Sequence, residues 1–156
     1  MGQEIERKFL VVGDGWRPRE LGLVYRQGYL PTQAPATVRV RLAGAKAYLT
    51  LKGPTIGLTR AEFEYEIPWT DAEAMLQQFC TAPLIEKTRY RIPVADHVWE
   101  VDEFAGDNEG LVLAEIELSH EAEPFTSPPW LGPEVSHDPR YRNSYLARHP
   151  YRTWAH

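Results

Sequence analysis

Between residues 3 and 119, apolar and polar positions alternate along most of the chain. Successive side chains of an extended strand point to opposite faces, so a period of two predicts strands. Eight runs carry it or are rich in β-formers: 3–12, 23–30, 36–43, 47–53, 58–67, 86–94, 97–105 and 111–119. Turn chemistry separates several of them: PTQAP at 31–35, AGAK at 43–46, KGPTIG at 52–57 and PVADH at 93–97. The last is short enough for a hairpin, which predicts a largely antiparallel sheet. The period lengthens only at TDAEAMLQQF (70–79), where Thr70 as N-cap, Glu73 completing a capping box, and Met75, Leu76 and Phe79 on one stripe predict a helix. Asp138 and Pro139 suit the start of a second, short helix carrying Tyr145 and Leu146. The intervening PFTSPPWLGPE is too rich in proline for a long regular element.

The polar half of the alternation is almost purely ionic. In EIERKFLVV, Glu4, Glu6 and Lys8 share a face. VRVRL sets Arg39 and Arg41 opposite Val38, Val40 and Leu42, and Lys52 ends the next run. RAEFEYEIP gives Arg60, Glu62, Glu64 and Glu66 opposite Phe63, Tyr65 and Ile67; KTRYRI gives Lys87, Arg89 and Arg91. WEVDEF adds Glu100 and Asp102, and LAEIEL adds Glu115 and Glu117. An ordinary solvated face would mix in Ser, Thr, Asn and Gln and favour Lys over Arg. Arg is the side chain suited to fixed, bidentate contact with phosphate oxygens. The other face is apolar and needs cover. Eight such strands closed into a barrel, with helices packed outside, would send the charges inward. Charges enclosed there are costly unless paired, hydrated or bound to ions. Acids alone would suggest a metal, bases alone an anion, and both together a polyphosphate held with Mg²⁺ or Mn²⁺.

Composition narrows the class further. A chain of 156 residues with 43% hydrophobic and 12% aromatic content suits one domain, 1–156, of α+β type dominated by β. A net charge of -5 argues against a general nucleic-acid binder. Cys80, the single cysteine, excludes an intrachain disulfide, a cysteine zinc cluster and a CxxC redox pair, and fits a reducing compartment. No basic segment followed by an apolar stretch opens the chain and no long apolar run occurs; Glu6 stands where a myristoylation signal needs Ser or Thr. These readings predict a cytoplasmic protein with no membrane partner, a monomer or homodimer. His97, His120, His137, His149 and His156 show no metal-ligand spacing, and the last two fit a loose tail.

EIERKFL, VRVRL, LTLKG, RAEFEYEI, EKTRYRI, WEVDEF, AEIEL and DPRYRNSYLA, in this order over nearly the whole chain, resemble the CYTH superfamily, the triphosphate tunnel metalloenzymes. The resemblance implies an eight-stranded antiparallel tunnel that takes a triphosphate with a divalent metal. It implies that Lys8, Arg39, Arg41, Lys52, Lys87 and Arg89 grip the triphosphate, and that Glu4, Glu6, Glu62, Glu64, Glu115 and Glu117 ligate metal or position water, with Asp102 a further candidate. Tyr29 would be an active-site tyrosine able to assist proton transfer beside Lys87, and Glu117 a catalytic carboxylate. Glu66 and Arg91, near strand ends, read as rim charges; Arg60, Arg140 and Arg142 stay open between tunnel and solvated roles.

The short, single-domain layout most resembles the bacterial inorganic tripolyphosphatases, which implies hydrolysis of tripolyphosphate to pyrophosphate and phosphate. Class IV adenylyl cyclases and thiamine or nucleoside triphosphatases of the same superfamily are the alternatives, although nothing in the chain announces a base-reading site. A non-catalytic barrel binding polyphosphate or RNA is the rival from another class. A pure anion binder, however, has no use for Glu4, Glu6, Glu115 and Glu117 facing its ligand.

Overall fold

The alternating strands close on themselves in a computed structural model, which describes residues 2–33, 35–81 and 83–154. The chain runs β1 (Gln3–Val11), β2 (Leu23–Leu30), β3 (Thr37–Ala43), β4 (Lys46–Lys52), β5 (Thr59–Ile67), α1 (Trp69–Gln78), β6 (Ile85–Val94), β7 (His97–Phe104), β8 (Val112–Glu117), β9 (Leu131–Glu134) and α2 (Asn143–Leu146). The sheet order is β5-β4-β3-β2-β6-β7-β8-β1-β9, and a further β5–β1 pairing shuts the first eight strands into an antiparallel barrel. That closure is short, Gln3↔Ala61 to Ile5↔Thr59. Beyond it β9 takes over the same edge of β1, with a register shift between Phe9 and Val11.

Arg7 staples this added strand from outside, donating from Nε and Nη2 to the two Glu134 carboxylate oxygens at 2.9 and 2.6 Å. Both side chains keep 28–30% exposure, so water screens the pair. Glu134→Gln is expected to lower stability by about 1 kcal/mol or less, and by less still in high salt. Urea melts at two ionic strengths check this.

The apolar faces look outward and are covered in two ways. Over β2–β4 lies α1, whose Ala72 and Leu76 bury against Val40, Leu42 and Ala47. Over β1, β7 and β8 the cover is irregular chain: Trp16, Phe125 and Trp130 pack on Phe9, Trp99 and Ile116, with edge-to-face ring contacts at 5.5–5.9 Å. The proline-rich stretch is thus a lid of anchored aromatics that contributes only the four-residue β9.

Two details of the helices differ from expectation. The first begins one residue early, with Pro68 at its N-cap (φ -57°, ψ 137°) and no side-chain cap, so Thr70 and Glu73 form no capping box. Instead Trp69 Nε1 donates to the Gly44 carbonyl at 3.2 Å, in a turn where glycine supplies the left-handed φ of 59°. Phe79 ends up outside the stripe, 57% exposed, because it is the C-cap that follows the last helical residue, Gln78. Near the C-terminus the Asp138 side chain accepts from the Arg140 N–H as expected, but it caps a 3₁₀ turn (Pro139–Tyr141), and Tyr145 and Leu146 lie in the separate turn of α2. His156 lies outside the described residues.

At one end of the barrel the inward positions turn from ionic to apolar. Leu10, Ile85, Phe104 and Leu113 follow the parity of their charged neighbours, yet they pack with Leu111 and with Leu146, Tyr141 and Trp154 of the C-terminal segment. This apolar seat holds that segment against the bore.

Candidate active site

Within the barrel is a cavity of about 350 Å³ lined by eight basic and eight acidic side chains. Every substrate-gripping candidate lines it: Lys8, Arg39, Arg41, Lys52, Lys87 and Arg89; so do Tyr29, Glu4, Glu6, Glu62, Glu64, Glu115 and Glu117. Asp102 does not. Its carboxylate is 1% exposed, engaged by Arg89 through Nε and Nη2 at 2.8 and 2.9 Å and by Lys87 Nζ at 2.8 Å. It sits behind the cations and holds them. Glu66 and Arg91 are exposed and outside the lining, Arg91 pairing with Glu100 at 3.1 Å. Arg60 and Arg142 line the cavity, whereas Arg140 is not part of the lining and pairs with Asp138 at its edge, beside the Tyr141 and Trp154 rings.

Burial sets the protonation of these groups. It pushes the Lys87 ammonium down to about 7, against the pull of Asp102 and with further repulsion from Arg89 and Arg41. Burial likewise lowers Arg41 to about 10, with Arg39 and Arg89 adding to the shift. The Tyr25 ring separates these cations, with the Arg41 and Arg89 guanidinium carbons 4.7 and 4.9 Å from its centroid and Lys87 Nζ at 5.9 Å. The Arg39 Nε is buried with no partner among the described residues. An orphaned guanidinium N–H is costly, and an anion in the cavity would satisfy it.

The acids divide by partner. Lys52 Nζ lies 3.1 Å from Glu4 and 3.2 Å from Glu62, Lys8 lies 3.7 Å from Glu115, and Arg39 3.7 Å from Glu64. Glu6 and Glu117 are register partners on β1 and β8, and neither forms an ion pair among the described residues. Burial, then Glu115 and Glu4, raise Glu6 well above the usual carboxylate range. For Glu115, burial is outweighed by Lys8, Arg89 and Lys87, which hold it well below. The two carboxyls influence each other's protonation in opposite directions, as do those of Glu4, which is raised, and Glu62, which is lowered.

Oxygen donors crowded enough to retain protons are the setting a hard divalent cation relieves. No three described His, Cys, Asp or Glu residues form a ready-made metal cage. The balance of charge agrees: a bore with equal numbers of bases and acids reaches neutrality around a polyanion only if cations enter with it.

Sequence parity missed the neutral part of the lining, Tyr25, Tyr48, Asn143 and Ser144, and the buried Gln27 and Thr50. Tyr25 and Gln27 share the face of Tyr29 in LVYRQGYL, so the signal was present; the C-terminal residues reach the site by tertiary packing alone.

Fold and lining define a class: a closed antiparallel barrel whose bore, rather than a loop or cleft, receives a polyanion with its counter-cation. The chain belongs to the CYTH domain family, which it matches over residues 2–145. It is 49% identical to an inorganic triphosphatase of Acetivibrio thermocellus over 99% of both chains. To an inorganic triphosphatase of Nitrosomonas europaea it is 43% identical, over 92% of this chain and 96% of the relative. A crystal structure of an inorganic triphosphatase superposes with a TM-score of 0.66 at 40% identity, over 92% of this chain and 93% of the other.

Proposed function

We infer that this protein is a hydrolase that cleaves inorganic tripolyphosphate to pyrophosphate and phosphate in its bore. The carrying observation is the enclosed lining of opposed bases and acids, supported by relatives that are inorganic triphosphatases at 49% and 43% identity. Lys8, Arg39, Arg41, Lys52, Lys87 and Arg89 bind and align the phosphates. Mg²⁺ or Mn²⁺, held by Glu6, Glu117 and the carboxyl pairs around them, Glu4 with Glu62 and Glu6 with Glu115, would supply charge neutralisation on phosphate oxygens and an activated water. Glu64 backs Arg39, and Asp102 positions Lys87 and Arg89.

In the reaction, water oxygen bonds to the terminal phosphorus as the bridging P–O bond breaks, and the electron pair leaves on pyrophosphate. Glu117, at the more exposed side of the lining, takes the water's proton. Lys87, with Tyr29 beside it, supplies the proton the leaving oxygen needs, and a pKa near 7 suits such exchange. Side chains supply all these contacts, so no glycine-rich phosphate loop is required.

Purified protein assayed with tripolyphosphate, ATP and thiamine triphosphate, under Mg²⁺ and under Mn²⁺, tests the reading. Tripolyphosphate is expected to give the highest kcat/KM. Preferential formation of cyclic AMP, or binding without turnover, would overturn it. No helix among the described residues is long and apolar enough to cross a membrane, and the small anionic substrate class fits a cytoplasmic enzyme.

The metal assignment carries its own prediction. Because Glu6 has a raised pKa in the fold, the folded protein keeps a proton there that the unfolded chain has released, and stability falls as pH rises through that elevated value. Glu6→Gln removes the loss. Without metal the variant is expected to melt above wild type near neutral pH, with the gap closing toward the ordinary carboxylate range of about pH 4. Added Mg²⁺ or Mn²⁺ should stabilise wild type more than the variant. Calorimetric melts across pH, with and without metal, decide it.

A further inference from the structure

Two amides that touch the cations belong to none of the roles above. Gln27, on β2, is 0% exposed, and Asn143 opens α2 at the far end of the sequence. The Gln27 Oε1 accepts from Arg41 Nε at 2.8 Å. Its Nε2 donates to the Tyr29 hydroxyl oxygen at 3.0 Å and to Asn143 Oδ1 at 3.2 Å. The same Asn143 Oδ1 accepts from Lys87 Nζ at 2.8 Å.

The direction of every bond in this chain is forced. Arg and Lys can only donate, so the Gln27 carbonyl must face Arg41 and the Asn143 carbonyl must face Lys87. That leaves the Gln27 amide hydrogens for Asn143 and for Tyr29. The phenol oxygen is therefore an acceptor toward Gln27, and its own hydrogen stays available to the cavity that Tyr29 lines. Three cavity groups on three different strands are thus oriented by one pair of side chains, one of which comes from the C-terminal segment.

We propose that Gln27 and Asn143 are positioning residues: a buried amide and a cavity-wall amide that together fix Arg41 and Lys87 and turn the Tyr29 hydroxyl hydrogen toward the phosphate chain. This rests on the tripolyphosphatase reading. A displaced group near the reacting atoms costs rate more than affinity. Removing the Asn143 acceptor leaves Lys87 with Asp102 alone to direct it, and removing the Gln27 amide frees the phenol to rotate its hydrogen toward any acceptor.

Steady-state kinetics with tripolyphosphate test the pair. Asn143→Leu keeps the shape and loses the acceptor; kcat is expected to fall about 10- to 100-fold with KM changed by no more than about threefold. Asn143→Asp keeps an oxygen toward Lys87 and is expected to turn over about tenfold faster than Asn143→Leu or better. Gln27→Met should cost less in a Tyr29→Phe background than in wild type, since the phenol it directs is already gone. With an active wild type, equal kcat for the folded Leu and Asp variants would overturn the proposal. So would an identical Gln27→Met loss in both backgrounds, a comparison that decides the matter if Asn143→Leu fails to fold. An inactive wild type would overturn the hydrolase reading and the proposal together, which separates the two failures.

Discussion

Lys87→Met is expected to lower kcat for tripolyphosphate by about 10²–10³, the usual cost of losing one preorganised donor at a centre where charge develops. Methionine is unbranched like lysine, one atom shorter and uncharged, so the bore keeps most of its packing and Asp102 keeps the bidentate Arg89. The variant should therefore fold, and the loss should fall on catalysis. Lys87 is 2% exposed, and three donor directions are shared between Asp102, Asn143 and the cavity. A kcat within about threefold of wild type would remove Lys87 from the mechanism.

The second large effect is on stability. Asp102→Ala strips the counter-charge from two buried cations, and breaking a buried pair from one side costs about 3–5 kcal/mol. Burial alone would raise Asp102, but Arg89 and Lys87 pull it below its ordinary value. The stability it contributes is therefore present above the unfolded-state pKa and lost as pH falls through the lower folded one. The gap between wild type and Asp102→Ala should be full at neutral pH and narrow in acid. Urea midpoints with an unchanged m-value measure it; a gap under about 1 kcal/mol would show the two cations solvated rather than held.

The legibility of this protein followed its parity. Every charged position assigned to the cavity other than Asp102 lines it, and the eight strand ranges agree with the observed ones to within two residues. Parity reports only the face, however, and not the depth. It could not tell that Asp102 lies behind Lys87 and Arg89, or that the same inward face becomes apolar at Leu10 and Leu113. The strand β9 escaped because four residues containing Gly132 and Pro133 carry no alternation. Asn143 escaped and Arg142 stayed open because nothing local to a sequence says which end of a barrel a C-terminal segment will cap. The capping box at Thr70 failed because Pro68, with its fixed φ, had already started the helix.

Closing the wall by strict alternation also limits how the chain can vary in length. Deleting one residue within β3 would exchange Arg39 and Arg41 for Val38 and Val40, driving valines into the wet bore and guanidinium groups into the packing beneath α1. Insertions and deletions are more tolerable in exposed connections between strands, while the walls change by substitution alone. Homologous barrels built on this plan should differ in the size of their loops and keep the same odd-and-even count along every stave.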